Sequence, residues 1–145
     1  MSQPSQPTGV VMTATSAASF KTELEHGPSG SRMATEAPKD NGGTGGSFSP
    51  TDLVGAALAS CAITTMALVA SREGLPFGEA RATVEKRMTP PPRRIGELVL
   101  TIHMPSGLSP AHRTRLEQAA QECPVARSLH PDVKLPLSFR YPGES

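Results

Sequence analysis

Between Leu53 and Ala70 the chain runs Leu-Val-Gly-Ala-Ala-Leu-Ala-Ser-Cys-Ala-Ile-Thr-Thr-Met-Ala-Leu-Val-Ala without one charged side chain. The segment in front of it, Ser49-Pro-Thr-Asp52, carries a helix start: Ser49 as cap, Pro50 at the first helical position, and Asp52 able to bond back to the cap. Gly74 and Pro76 mark the stop, so a helix is predicted from Pro50 to about Arg72, roughly 30–35 Å long at ~1.5 Å per residue. It is apolar nearly all round and must be central to the fold. Gly55, Ser60, Thr64 and Thr65 interrupt the apolar stretch and Ala outnumbers Leu, which argues against a membrane span and for close approach of a second helix.

The rest of the chain alternates on shorter periods. Residues 10–17, 20–25 and 31–36 read as strands of an antiparallel meander, with His26-Gly-Pro-Ser-Gly30 as one turn. Asp40-Asn-Gly-Gly-Thr-Gly-Gly-Ser47 lacks the lysine and spacing of a phosphate loop and reads as a mobile connection. Residues 79–89 and 98–104 alternate as a hairpin with one buried face, joined through Pro90-Pro-Pro92. Ser109-Pro110 opens a helix to about Glu122, and Cys123-Pro124 a short one to about Leu129. Val133, Leu135, Leu137, Phe139 and Tyr141 then share one face of a last strand. The predicted class is α+β, with residues 1–8 a disordered tail and residues 9–145 a single domain.

With 145 residues, four Phe, one Tyr and no Trp, the core is thin, and a second copy of the chain is an expected folding partner. A formal charge of +1, without a basic stripe or stacking aromatics, excludes nucleic acid as a partner. The N-terminus, Met1-Ser-Gln-Pro-Ser-Gln-Pro-Thr8, has neither the basic nor the apolar region of a secretory signal, so the chain reads as cytoplasmic. There, thiols stay reduced and a disulfide is transient.

That context bears on Cys61 and Cys123, the two cysteines. They are either a redox pair or two unrelated buried thiols. Cys61 shares its helix side with Val54, Ala57, Leu58, Thr65 and Leu68, an apolar setting that raises a thiol's pKa. Cys123 falls at a helix cap, where the dipole favours an anion, so local physics nominates Cys123 as the more acidic thiol. That position suits an attacking or a leaving sulfur equally. The four histidines have no metal-ligand spacing, and no Ser/His/Asp set is indicated.

Ser49-Pro-Thr-Asp-Leu-Val-Gly-Ala-Ala-Leu-Ala-Ser-Cys61 resembles the first cysteine motif of the OsmC/Ohr proteins. Glu122-Cys-Pro-Val125, with Ser128-Leu-His-Pro131 behind it, resembles the second. The strand at residues 94–104 and the helix start Gly107-Leu-Ser-Pro110 resemble the same family, so the similarity spans residues 20–139. The resemblance implies an intertwined homodimer in which strongly curved antiparallel sheets enclose two long helices and each site draws on both subunits. It implies reduction of organic hydroperoxides, with Cys61 as peroxidatic and Cys123 as resolving cysteine, regenerated by a dithiol of lipoyl type, with no cofactor or metal. Peroxidase members carry a glutamate after the proline of the first motif, where this chain has Thr51; the carboxylate here is Asp52, which also serves as a cap residue. An arginine of the N-terminal strands aligns with Lys21, or less closely Arg32. A non-catalytic or sensory member binding an apolar molecule in the dimer cleft is the alternative that these departures leave open.

Overall fold

The computed structural model describes residues 9–144; the proposed tail at residues 1–8 lies outside them. The chain divides into two compact units, one up to Pro50 and one from Thr51 onward.

In the first unit, β1 (Met12–Ala17), β2 (Lys21–His26) and β3 (Arg32–Glu36) form an antiparallel sheet in that order. This is the expected meander, shifted by a residue or two. The registers Ala14↔Leu24 and Leu24↔Met33 place these side chains on one face of the sheet. With Met12 they line a groove of about 340 Å³, and Met12 and Met33 stay exposed. The β1–β2 turn places Ser19 and Phe20 at φ 63° and 59°, a left-handed backbone that a bulky side chain seldom adopts.

The glycine-rich segment is held rather than loose. Glu36, buried at 4 % exposure, accepts hydrogen bonds from the amide and hydroxyl of Thr44. The Glu36 amide donates to Phe48 O, and the Gly43 amide to Pro38 O. Those two hydrogen bonds on the Glu36 carboxylate, together with the Gly46 amide and the positive charge of Lys21, hold its carboxyl below the ordinary range against the opposing effect of burial.

In the second unit the apolar run becomes α1 (Pro50–Glu73). Gly74 ends it at φ 67°, as expected of a left-handed C-terminal glycine. Gly55, Leu58, Ala62, Met66 and Ala70 form its buried stripe, spaced three or four apart. On the opposite side Ala57, Ser60, Thr64 and Leu68 are exposed. Among the described residues of the second unit, that side of α1 is left uncovered, whereas its buried stripe shares a core cluster with Leu116, Ala119 and Ala120.

That sheet contains β4 (Arg81–Met88), β5 (Ile95–His103) and β6 (Leu137–Arg140), in that order. β4 and β5 pair antiparallel with Val84↔Leu100 and Ala82↔Ile102 in register, and Leu98, Leu100 and Ile102 sit in the core. β6 joins β5 in parallel, so the second sheet is mixed rather than wholly antiparallel. The connection through α2 (Pro110–Gln121) and α3 (Pro124–Ser128) returns the chain in its original direction, as a parallel pair requires. β6 is shorter than the apolar alternation from Val133 suggests. Lys134 and Glu97 form an isolated bridge, but Pro136 has no amide to donate and the ladder restarts at Leu137. Ser109 caps α2 by accepting the His112 amide. α2 contributes Leu116, Ala119 and Ala120, and Cys123 completes the core cluster.

Candidate active site

Cys61 projects from the middle of α1, half-buried, and Cys123 forms the N-cap of α3, with no surface exposed. Both are free thiols. The Cys61 thiol lies near enough to the Cys123 sulfur to act on its titration, and Cys61 Sγ lies 3.9 Å from Thr65 Oγ1. The fold thus brings together two sulfurs separated by 62 positions in sequence, 61 to 123. The break between α2 and α3 does this: Pro124 cannot continue the α2 hydrogen-bond ladder, so the chain turns and leaves Cys123 facing α1.

The acidity expected of Cys123 from its cap position is not what the structure gives. Burial pushes its thiol up, and the Cys61 thiol beside it pushes the same way; the amides of Ala126 and Val125 act in the opposite direction but do not prevail. A five-residue helix has a weak dipole, and no cap hydrogen bond is formed, so desolvation of the thiolate dominates. The expectation that the cap position makes Cys123 acidic is corrected accordingly: the cap is too short to offset the burial that surrounds it.

An apolar cavity of about 270 Å³ is lined by Leu58, Leu100, Gln121, Ala126, Leu135 and Leu137. Leu58 precedes Cys61 by one helical turn, and Gln121 and Ala126 flank Cys123, so cavity and thiols share the same helices.

Asp52 sits in the first turn of α1, where its carboxylate accepts from Lys86 Nζ at 2.8 Å. The same ammonium donates to Thr51 Oγ1 at 2.7 Å. Asp52 and Cys61 are nine positions apart on one helix, about 13 Å along its axis, so the carboxylate does not touch the sulfur of its own chain. Lys21 opens β2 opposite Ala17 and Glu36, and its charge is felt by the Glu36 carboxyl. Arg32 pairs with Glu23 and Glu25 on the sheet surface.

Lys86 is the residue that sequence reasoning missed. Its signal was present: β4 alternates exposed and half-buried positions, and Lys86 falls on the inward face with Ala82, Val84 and Met88. A lysine on the apolar side of an alternating strand requires a buried or half-buried partner.

The OsmC-like protein family model matches residues 43–138. A structure from Psychrobacter arcticus, whose name assigns it to the osmotic stress and detoxification response, is 32 % identical, with a TM-score of 0.85 over 93 % of this chain and 98 % of that one. An organic hydroperoxide resistance protein OsmC from Legionella pneumophila has the same fold, at 21 % identity and a TM-score of 0.75, over 94 % of this chain and 99 % of that one. The organic hydroperoxide resistance protein OhrB of Bacillus subtilis gives 16 % identity and a TM-score of 0.68 over 92 % and 98 % of the two chains. No curated protein matches. With the family model covering both cysteine motifs, and a similar structure 32 % identical over nearly the whole chain, the chain belongs to the OsmC-like protein family.

Proposed function

We propose that the protein reduces organic hydroperoxides through Cys61 and Cys123. One observation carries the reading: a half-buried thiol on α1 close enough to a fully buried second thiol to act on its titration. The Cys61 thiolate attacks the terminal oxygen of R–O–OH, the O–O bond breaks, and the alkoxide takes a proton and leaves as alcohol. Cys61 is then a sulfenic acid. The Cys123 sulfur attacks it; the S–S bond forms and the hydroxyl departs as water with the Cys123 proton. A dithiol returns the pair to thiols. The names of the Legionella and Bacillus relatives support the hydroperoxide class.

In this reading the active form is a homodimer. The exposed side of α1, through Ala57, Thr64 and Leu68, and the face of the first sheet bearing Met12 and Met33 are surfaces that a second copy would cover. Asp52, held by Lys86, reaches a Cys61 only across such an interface, and Lys21 is the candidate cation from the N-terminal sheet.

The test is stopped-flow oxidation with cumene hydroperoxide. Wild type is expected to lose two thiols and gain a disulfide, Cys61→Ser to be inert, and Cys123→Ser to stop at a sulfenic acid that dimedone traps. A wild-type rate equal to that of free cysteine rejects the reading. The apolar cavity of about 270 Å³ favours a second reading, a non-catalytic member that binds an apolar small molecule. Native thiols inert to peroxide, together with such a molecule co-purifying, would select it.

A further inference from the structure

We infer that the Thr65 hydroxyl is the hydrogen-bond donor that holds the Cys61 thiolate for attack. The inference rests on the thiol-pair reading above, in which the Cys61 sulfur is the reacting atom. Thr65 follows Cys61 by one turn of α1, and its Oγ1 lies 3.9 Å from Cys61 Sγ. Residues at that spacing share one helix face, so the contact is made inside one helix and does not depend on what covers α1. Other helix hydroxyls are used differently. Thr114 and Ser128 donate to the carbonyls of Pro110 and Pro124, one turn back, at 3.1 and 2.8 Å. Thr51, at the start of α1, accepts from Lys86, and Ser60, Thr64 and Ser71 are exposed. Thr65 is half-buried, and its hydroxyl meets the sulfur instead.

The charge on the sulfur decides how strong this contact is. A hydroxyl can donate or accept, and its hydrogen rotates to suit the partner. Opposite a thiol the pair is a weak neutral contact. Opposite a thiolate the hydroxyl must donate, and a charge-assisted bond is roughly twice as strong. The contact therefore favours the anion. Branching at Cβ confines threonine to two rotamers in a helix, so little freedom is lost in holding the donor there. A thiolate held in this way is more abundant but less nucleophilic, because nucleophilicity falls by about 0.4–0.5 of the gain in acidity on a logarithmic scale. Thr65 thus speeds the sulfur where the thiol predominates and slows it where ionisation is complete.

The test follows iodoacetamide alkylation of Cys61 across the pH range in the full chain carrying Cys123→Ser, with Thr65 intact or replaced. Thr65→Val keeps the shape and loses the hydroxyl; Thr65→Ser keeps the hydroxyl and loses the methyl. Thr65→Val is expected to react about threefold slower on the rising limb and about threefold faster on the alkaline plateau, together a roughly tenfold loss of thiolate. Thr65→Ala, also without the hydroxyl and well suited to a helix, should behave as valine does. Thr65→Ser should follow the threonine profile on both limbs, and all profiles should coincide in urea. Native profiles that coincide, a rate lowered by one factor at every pH, a serine variant that behaves as valine, or differences that survive urea overturn the inference. No peroxide enters the measurement, so these outcomes leave the peroxidase reading standing, whereas native thiols inert to cumene hydroperoxide reject that reading without altering the alkylation profiles.

Discussion

Lys86 Nζ on β4 lies 2.8 Å from the Asp52 carboxylate in the first turn of α1. With its second hydrogen bond to Thr51, this ammonium ties the strand to the start of the helix that carries Cys61. The Lys86 side chain is 16 % exposed and that of Asp52 40 %, so the partners are unequal: removing the lysine lets the aspartate return to water, whereas removing the aspartate takes a carboxylate from a largely buried cation.

Lys86→Met is accordingly expected to lower stability by only about 1 kcal/mol, because the exposed carboxylate is screened by solvent. Asp52→Ala, which leaves the lysine without its carboxylate, is expected to cost about 1–3 kcal/mol. Urea midpoints measure both. Equal losses in the two variants would show that burial does not distinguish the partners.

Cys123 is predicted to titrate above its ordinary value of 9.0, with burial as the main cause. A thiol raised by folding favours the fold while it is neutral, so its contribution is fully present below pH 9 and is lost as pH rises through the folded value. In Cys61→Ser, iodoacetamide labelling of Cys123 in the native protein should lag behind that of the urea-unfolded protein at every pH up to 9. Native labelling as fast as unfolded labelling at pH 8 contradicts the assignment.

The Glu36 carboxyl is held below 4.5, first by the Thr44 hydroxyl and then by the Thr44 amide. Its contribution to the fold is present above the unfolded value and fades as pH falls through the lower, folded one. Hydrogen exchange at the Thr44 amide should therefore remain protected at pH 5 and lose protection at lower pH. In Glu36→Gln, protection should be reduced at pH 7 already. Full protection in that variant would show that the carboxylate charge does not hold the loop.

Gly43 is predicted to be intolerant of a side chain. A Cβ built there would stand 1.6 Å from Ala37 O, so the backbone itself must move. Gly43→Ala should cost on the order of 2 kcal/mol or more, read as a lower melting temperature. Gly55→Ala on α1 meets Leu98 Cδ2 at 3.4 Å, an ordinary contact, and gains about 1 kcal/mol of helix propensity. The two glycines should therefore move stability in opposite directions.

Helix boundaries and the antiparallel strands were readable from the chain because their causes are local. Ser109 and Pro110 start α2, Gly74 stops α1, and alternation in residues 81–88 and 95–103 sets the buried face of the hairpin. The two cysteine motifs were equally visible. Long-range pairing was not: whether β6 runs parallel to β5, what meets the inward lysine of β4, and that the glycine-rich segment is latched by Glu36 depend on residues far apart in the chain. Thiol acidity failed for the same reason. A cap position is a local property that favours the anion, but burial of Cys123 by α1 and α2 is a property of the assembled core, and desolvation outweighs a five-residue helix. The chain alone settles which segments are helix and strand and that two thiols are available; the tertiary structure decides that those thiols meet, and which of them faces outward, because only packing brings position 123 beside position 61.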